Sequence, residues 1–158
     1  MKLLQSDKDR LTFRLSPGEK AVLLDVLKFY PRVPPAHHRL SRGEETDADA
    51  ERQRLLEDAL AEQRARNKRQ LQTLLQRPGT FQRADGCWRF TLRRGDFEWL
   101  VQVLNDVRVG SWIALGSPEQ LPREFALDGA NAPHVAVMEI AGLFQMALLD
   151  AGEGDAAL

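Results

Sequence analysis

The sequence predicts an α+β protein that is predominantly α-helical, with four main helices and a small antiparallel sheet made from two hairpins. Two short segments alternate apolar and polar residues around turn residues, and four longer segments repeat their apolar residues at helical spacing. The chain has 158 residues, 43% hydrophobic and 28% charged, which suits one soluble globular domain. We expect the order ββ-α-α-ββ-α-α in a single domain over 1–150, with a flexible loop at 31–46 and a frayed tail at 151–158.

The first elements are a hairpin over 2–15 and a helix over 17–30. In the second arm of the hairpin, apolar residues alternate with polar ones, which predicts one buried face. Ser16 is a good N-cap, Pro17 suits the first helical position, and Glu19 completes a capping box. Pro31 then ends the helix.

The segment 31–46 contains three prolines and a glycine, which predicts a loop. A long helix over 47–76 follows, and its apolar stripe is thin in the middle. The second hairpin spans 81–92 around Asp85-Gly86, a favoured turn pair. We expect its second arm to pair with the first hairpin.

The third and fourth helices, over 96–115 and 133–150, are the most apolar. Polar residues nevertheless interrupt the third helix within Val103–Gly116, "VLNDVRVGSWIALG". At 100° per residue, Arg108 falls near the middle of the face formed by Leu104 and Leu115, and Asn105 falls at its edge. The helix is apolar on nearly all sides, so we expect it to be central to the fold, and Gly110 would let another backbone come close.

The charges of this interruption need partners if they are buried. Asp106 and Arg108 are two residues apart and point in opposite directions, so they cannot pair simply with each other. We predict that Arg108 forms a buried ion pair with Glu139 of the last helix. For Asp106 we expect Arg14, Arg89, or a helix-end or backbone donor.

The polar cluster Asn105, Asp106, Arg108 and Glu139 therefore has three interpretations: a structural lock between helices, a ligand or partner pocket, and a catalytic site. We favour the structural lock, because ion-pair networks commonly produce such patterns. Acid–base chemistry needs a group that titrates near neutrality or a carboxylate pair, and arginine and asparagine supply neither. We predict no catalytic residue and no cofactor-binding residue.

The motif WLxxLNDxR, here Trp99-Leu100, Leu104-Asn105-Asp106 and Arg108, followed by Ala114-Leu115-Gly116, resembles a bacterial domain-of-unknown-function family known mainly from actinobacteria. The strand that leads into Leu15-Ser16-Pro17-Gly18-Glu19 and the closing apolar helix are similar to that family as well. The last helix departs from it, because His134-Val135 stand where the family more often carries tryptophan or tyrosine. Some members are encoded near an adaptor of the Clp protease, so the resemblance implies a regulatory or proteostasis role.

Charge is distributed unevenly along the chain. Residues 63–94 hold nine basic residues and one acid, a net of +8, whereas 95–158 hold ten acids and two bases, a net of −8. A basic run of this kind is typical of a nucleic-acid interface. However, the long helix begins acidic and ends basic, as the helix dipole favours, and the total charge is −1. We therefore predict that 64–77 is a solvated helix face and not a DNA site, and we do not favour a nucleic-acid partner.

The remaining sequence features predict no metal site, signal peptide or membrane span. Cys87 is the only cysteine, and His37-His38 lack the further ligands of a metal site, so we predict no metal. The first residues lack the apolar core of a signal peptide, and no apolar run reaches membrane-spanning length, so we expect a cytoplasmic protein without a membrane span.

From its residues alone, the chain is best interpreted as a non-enzymatic interaction or regulatory protein with a protein partner, which includes the case of a homodimer. The alternatives are a small-ligand binder or enzyme that uses Asn105, Asp106, Arg108 and Glu139, and a nucleic-acid binder that uses 64–94. An open cleft at Arg108 would favour the first alternative. An uncompensated basic face would favour the second.

Overall fold

A computed structural model of the chain describes residues 1–34, 47–119 and 129–153. The elements in chain order are β1 (Lys2–Ser6), β2 (Arg10–Leu15), α1 (Pro17–Leu27), α2 (Asp47–Gln76), β3 (Phe81–Ala84), β4 (Cys87–Arg93), α3 (Arg94–Ala114) and α4 (Ala132–Glu153). This order confirms the predicted α+β class with its four main helices and two hairpins.

The turns and caps form through local hydrogen bonds of the kind that the sequence predicts. In the first hairpin, the Asp7 carboxylate accepts hydrogen bonds from the backbone N–H groups of Asp9 (3.0 Å) and Arg10 (2.8 Å). At the start of α1, the Glu19 N–H donates to Ser16 Oγ and the Ser16 N–H donates to Glu19 Oε2. The predicted capping box is therefore confirmed.

The two hairpins join into one antiparallel sheet of four strands in the order β1-β2-β4-β3. The second arm of each hairpin pairs with the other, as predicted, and Phe13 lies opposite Phe90. Asp85 and Gly86 both have positive φ angles, 50° and 73°, as the tight turn between β3 and β4 requires.

The hydrophobic core lies between one face of this sheet and the helices α1, α3 and α4. Five inward side chains of β2 and β4 have no solvent exposure; they are Leu11, Phe13, Leu15, Phe90 and Leu92. Helix α3 packs along α4 and also contacts the sheet, which explains why its sequence is apolar on nearly all sides. We call the opposite, helix-free face of the sheet its outer face.

Helix α2 contributes little to this core. Among its described side chains only Leu71 and Leu74 are buried, and Leu55 is 60% exposed. This distribution agrees with the thin apolar stripe of the sequence. The helix still positions residues near the core, because its side chains reach the segment that follows α1.

Helix α4 ends at Glu153 instead of near Asp150 as predicted, because Ala151 is buried and extends the packed face by one more position. Residues 154–158 lie outside the described chain. Ala132–Gly152 is long and apolar enough to cross a membrane, with a mean hydropathy of 1.5 over its best window, 39% of which is buried. The core helix of a soluble protein meets the same criteria, so this helix alone is weak evidence for a membrane span.

Candidate functional site

The polar cluster predicted from the sequence is divided between two places on the two sides of α3. Asp106 faces the segment Pro31-Arg32-Val33, which we call segment 31–33. Arg108 and Glu139 instead line a surface groove between α3 and α4. Asn105 lies beside the second place, where its side-chain oxygen accepts from Arg108 Nη2 (3.4 Å) and Gln145 Nε2 (3.5 Å).

The side chain of Asp106 holds segment 31–33 through the backbone N–H groups of that segment. Its carboxylate accepts hydrogen bonds from the N–H of Arg32 at 2.6 Å and of Val33 at 3.4 Å. Of the partners predicted for Asp106, the backbone donor is correct. The arginine partners Arg14 and Arg89 are wrong, because both occupy outward positions of the sheet.

Arg64 of α2 holds the same segment from another side. Its guanidinium donates to the carbonyl oxygens of Val33 and Pro31, the latter at 3.0 Å. Segment 31–33 belongs to no helix or strand, so its N–H and C=O groups need such side-chain partners. This role of Arg64 could not be predicted from the sequence, because the partner groups are backbone atoms, which leave no signal in the sequence.

The side chain of Arg32 connects this segment to both apolar helices. Arg32 lies very close to α3. A Cβ atom added at Gly110 would lie 2.6 Å from the carbonyl carbon of Arg32 and 2.7 Å from the Cβ of Arg32. The guanidinium lies 4.7 Å from the centre of the Phe29 ring, and its Nη2 is 2.5 Å from His134 Nδ1 at the start of α4. The predicted close backbone approach at Gly110 is therefore confirmed.

Tyr30 is buried beneath segment 31–33, with 7% of its surface exposed and its ring edge-on to Trp99 at 6.2 Å. Burial raises the pKa of its phenol, and the negative charge of Asp106 raises it further. A hydrogen bond from Asn67 and the charge of Arg64 act in the opposite direction without reversing the shift.

Tyr30 is the only tyrosine in the chain, so its titration can be followed by the ultraviolet absorbance of tyrosinate. We expect the phenol of the folded protein to ionise above the ordinary value of about 10, and the urea-unfolded chain to ionise at that value. Because the folded-state pKa is the higher one, this contribution to stability is present below pH about 10 and is lost as the pH rises through the folded pKa. Titration of the folded and unfolded chains at the same pH would contradict the placement of Tyr30.

The predicted buried ion pair between Arg108 and Glu139 is wrong. Both side chains are exposed, and within the described part of the chain neither forms an ion pair. The buried face of α3 is rotated from the predicted one towards Val103 and Gly110, which places Arg108 at its edge. There its aliphatic part crosses Gly142 of α4, and its charged end stays in solvent, as long cationic side chains commonly do.

The space beside Arg108 is an open groove of about 440 Å³ along the contact of α3 with α4. We call it the α3–α4 groove, and define it by Arg108, Val109 and Trp112 of α3 and Met138, Glu139, Gly142, Leu143 and Met146 of α4. Its apolar part is unusually accessible for such large side chains, because Leu143 is 65% and Met146 60% exposed. One cation and one anion thus border an apolar surface that the other described residues leave uncovered.

A second cavity, of about 280 Å³, lies between α2 and segment 31–33. Asp106, Arg64 and Tyr30 are among its lining residues. The two charged groups already hold backbone atoms of the segment, so this cavity offers a ligand little unused hydrogen-bonding capacity.

The basic residues of 64–94 do not form one surface. Arg64 turns to segment 31–33, Arg66 pairs with Glu62 at 3.1 Å, and Arg77 pairs with Asp96 at 2.5 Å. Arg89 and Arg93 of β4 lie on the outer face of the sheet. Among the described residues, no group of three His, Cys, Asp or Glu side chains could hold a metal ion, and His37-His38 lie outside those residues.

Comparison of the chain with family models, curated proteins and solved structures gives no match. The resemblance carried by the WLxxLNDxR motif therefore stays a prediction.

Proposed function

We propose that the protein is a non-enzymatic interaction protein and that the α3–α4 groove binds a protein partner. The observation that carries this proposal is the exposed apolar surface around Leu143 and Met146, which no other described residue covers. Exposed apolar side chains that are contiguous and bordered by polar groups are typical of protein-binding sites. Methionine is well suited to such a surface, because its flexible, polarisable side chain adapts to a partner.

The partner that these charges fit is a second copy of the chain. In a two-fold symmetric dimer, residue i of one copy contacts residue j of the other, and the reverse contact forms as well. Arg108 and Glu139 have opposite charges and lie on opposite helices of one groove. Two grooves facing each other would therefore place each Arg108 against the partner's Glu139 while covering Leu143 and Met146.

Charge reversal tests this arrangement sharply. We expect Arg108→Glu and Glu139→Arg, each alone, to sediment as monomers at concentrations where the natural chain is a dimer. An equimolar mixture of the two variants should form heterodimers again, because the reversed charges then face each other. Glu98→Arg, which changes an exposed acid of α3 outside the groove, is the matched control and should leave the dimer intact.

A natural chain that sediments as a monomer up to high concentration would overturn the dimer. A photo-crosslinking residue at Leu143, introduced into the protein in its host cells, would then test the wider proposal. A crosslinked partner that disappears when Met146 is changed to aspartate, and persists when the exposed Leu55 of α2 is changed instead, would support a different protein in the groove.

A small-molecule ligand is the second candidate, favoured by the groove volume of about 440 Å³, which falls in the ordinary range of ligand sites. A bound small molecule would stabilise the monomer and leave its sedimenting mass nearly unchanged. A protein partner would instead increase the sedimenting mass. A cytoplasmic location and a regulatory or proteostasis role rest on the sequence and its family resemblance, and we include them in the proposal on that basis.

A further inference from the structure

The outer face of the sheet is strongly basic. The four strands contain six basic residues, Lys2, Arg10, Arg14, Arg83, Arg89 and Arg93, and no acid. Four of these arginines lie at outward positions of the two central strands, because their neighbours in sequence, such as Phe13 and Phe90, point inward and are buried. The positive charge is therefore concentrated on the one face that no described helix covers.

The strand register places these arginines opposite one another. Arg10 lies directly opposite Arg93, and Arg14 lies directly opposite Arg89. Like charges at directly opposed positions destabilise a sheet. Within the described residues none of the four forms an ion pair with an acid, and the Arg14 guanidinium donates only to Cys87 Sγ at 3.2 and 3.3 Å. Two repulsive pairs that no described acid compensates are suited to bind an anion between them.

One end of this face is already shaped as a small polar recess. A cavity of about 100 Å³ is lined by Arg10 and Arg93, by Arg77, and by Thr80 and Thr91. The Asp96 carboxylate holds Arg77 in place at 2.5 Å, and one acid against three guanidinium groups leaves the recess positive. Arginine donates two parallel hydrogen bonds to a phosphate group, so the guanidinium groups are the donors of this recess. The Thr80 hydroxyl already donates to the Leu74 carbonyl oxygen at 3.0 Å.

The hydroxyls of Thr12 and Thr91 separate the two arginine pairs and lie 3.2 Å apart. The pairs at Arg10 and Arg14 are four residues apart, roughly 14 Å along the strand. One of these hydroxyls donates to the other, which leaves one O–H group for a ligand. Pairs of cations at this spacing suit a ligand that carries several negative charges along a line.

We propose that the outer face of the sheet binds the phosphodiester backbone of a nucleic acid, with one phosphate in the recess of Arg10, Arg77 and Arg93. A protein partner fits this face less well, because protein interfaces need an apolar centre. The outward positions of β2 and β4 contain no aliphatic or aromatic residue; they are Arg10, Thr12, Arg14, Cys87, Arg89, Thr91 and Arg93. Nucleic-acid interfaces are polar and positively charged, as this one is.

The absence of aromatic side chains at these positions also determines the kind of binding. This surface offers bases no aromatic ring to stack on, so we expect recognition to depend mainly on the backbone and to vary little with base sequence. Nucleic-acid binding here departs from the prediction from the sequence, which did not favour a nucleic-acid partner and placed the alternative on 64–94. That prediction treated 63–94 as one charged run, whereas the strand register separates the arginines of β4 from the solvated face of α2.

The test measures fluorescence anisotropy of labelled single-stranded and duplex oligonucleotides of mixed sequence, with the full chain at low salt. We expect binding that weakens as salt rises, with a slope of log K against log salt of about −3 for single strands if four phosphates are neutralised. Replacing Arg10 and Arg93 together by glutamine should weaken binding at least tenfold at roughly 50 mM salt and make the slope shallower.

The matched control replaces Arg54 and Arg69, two exposed arginines of α2, by glutamine, with the same change of net charge. It should bind as the natural chain does. The Arg10/Arg93 variant should unfold at the same denaturant concentration or a higher one, because a repulsive pair has been removed. If that variant does not fold, the Arg14/Arg89 pair replaced by glutamine serves in its place.

Three results would overturn the proposal: no oligonucleotide binding at low salt, equal weakening by the α2 control, or equally strong competition by polyglutamate at matched charge. The last result would assign the face to an acidic protein segment. None of these outcomes bears on the α3–α4 groove, since the two surfaces share no residue.

Discussion

Gly110→Ala is expected to lower the free energy of unfolding by about 3 kcal/mol, the upper part of the range for overpacking a closely packed site. The added methyl group would lie 2.6 Å from the carbonyl carbon of Arg32, a backbone atom that cannot turn aside as a side chain can. Segment 31–33 would have to move away from α3 and lose its hydrogen bonds to Asp106. Urea unfolding followed by circular dichroism measures this loss.

Gly142→Ala is the matched control, because it makes the same change in the middle of an apolar helix. Its new methyl group would meet only Arg108 Cδ, at an ordinary contact distance of 3.7 Å. We expect a gain of roughly 0.5–1 kcal/mol from the better helix propensity of alanine. Equal stabilities for the Gly110→Ala variant and the natural chain would show that segment 31–33 does not rest on α3 as described.

Phe90→Ala should cost on the order of 3–5 kcal/mol, as large-to-small changes of buried aromatic residues do. The Phe90 side chain has no solvent exposure and stacks on Phe81 with ring centres 4.7 Å apart. It also contacts Phe13 across the central strand pair, with ring centres 6.4 Å apart. The truncation would leave a cavity where the hairpins join, and denaturant unfolding measures the loss.

Arg89→Ala, one residue earlier on β4, provides the contrast. Its side chain is exposed on the outer face and lies opposite Arg14, so its removal should change stability little or raise it. A large loss from Arg89→Ala, or a small one from Phe90→Ala, would mean that the two faces of the sheet are assigned the wrong way round.

The class of fold and the order of its elements could be predicted because each depends on local patterns. Alternation in β2, the capping box at Ser16 and the turn at Asp85-Gly86 are each decided within a few residues of chain. The pairing of the two second arms was also predictable, since both expose one fully apolar side that must be buried. The close approach at Gly110 followed from a single glycine in an otherwise apolar helix.

The candidate site was only partly predictable. A helical wheel shows which residues share a side of α3, but not which side faces which neighbour. The buried face turned towards Val103 and Gly110, and this rotation moved Arg108 from the core to a groove. The Asp106 carboxylate accepts from backbone N–H groups, and the Arg64 guanidinium donates to backbone carbonyl groups. Nearly every position of a chain carries such groups, so the sequence does not reveal which of them become partners.

The sequence by itself determined the helices, the hairpins and their order, because these depend on short-range steric and hydrogen-bonding preferences together with the period of the apolar residues. Only the tertiary structure decided how charged side chains are grouped, because grouping depends on strand register and helix rotation, which contacts between distant segments select. The register placed Arg10 opposite Arg93 across 83 positions of chain and gathered the four arginines of β2 and β4 on one face. Helix rotation left Arg108 and Glu139 on either side of an open apolar groove, without an ion pair to any described residue, although each could have balanced the other's charge.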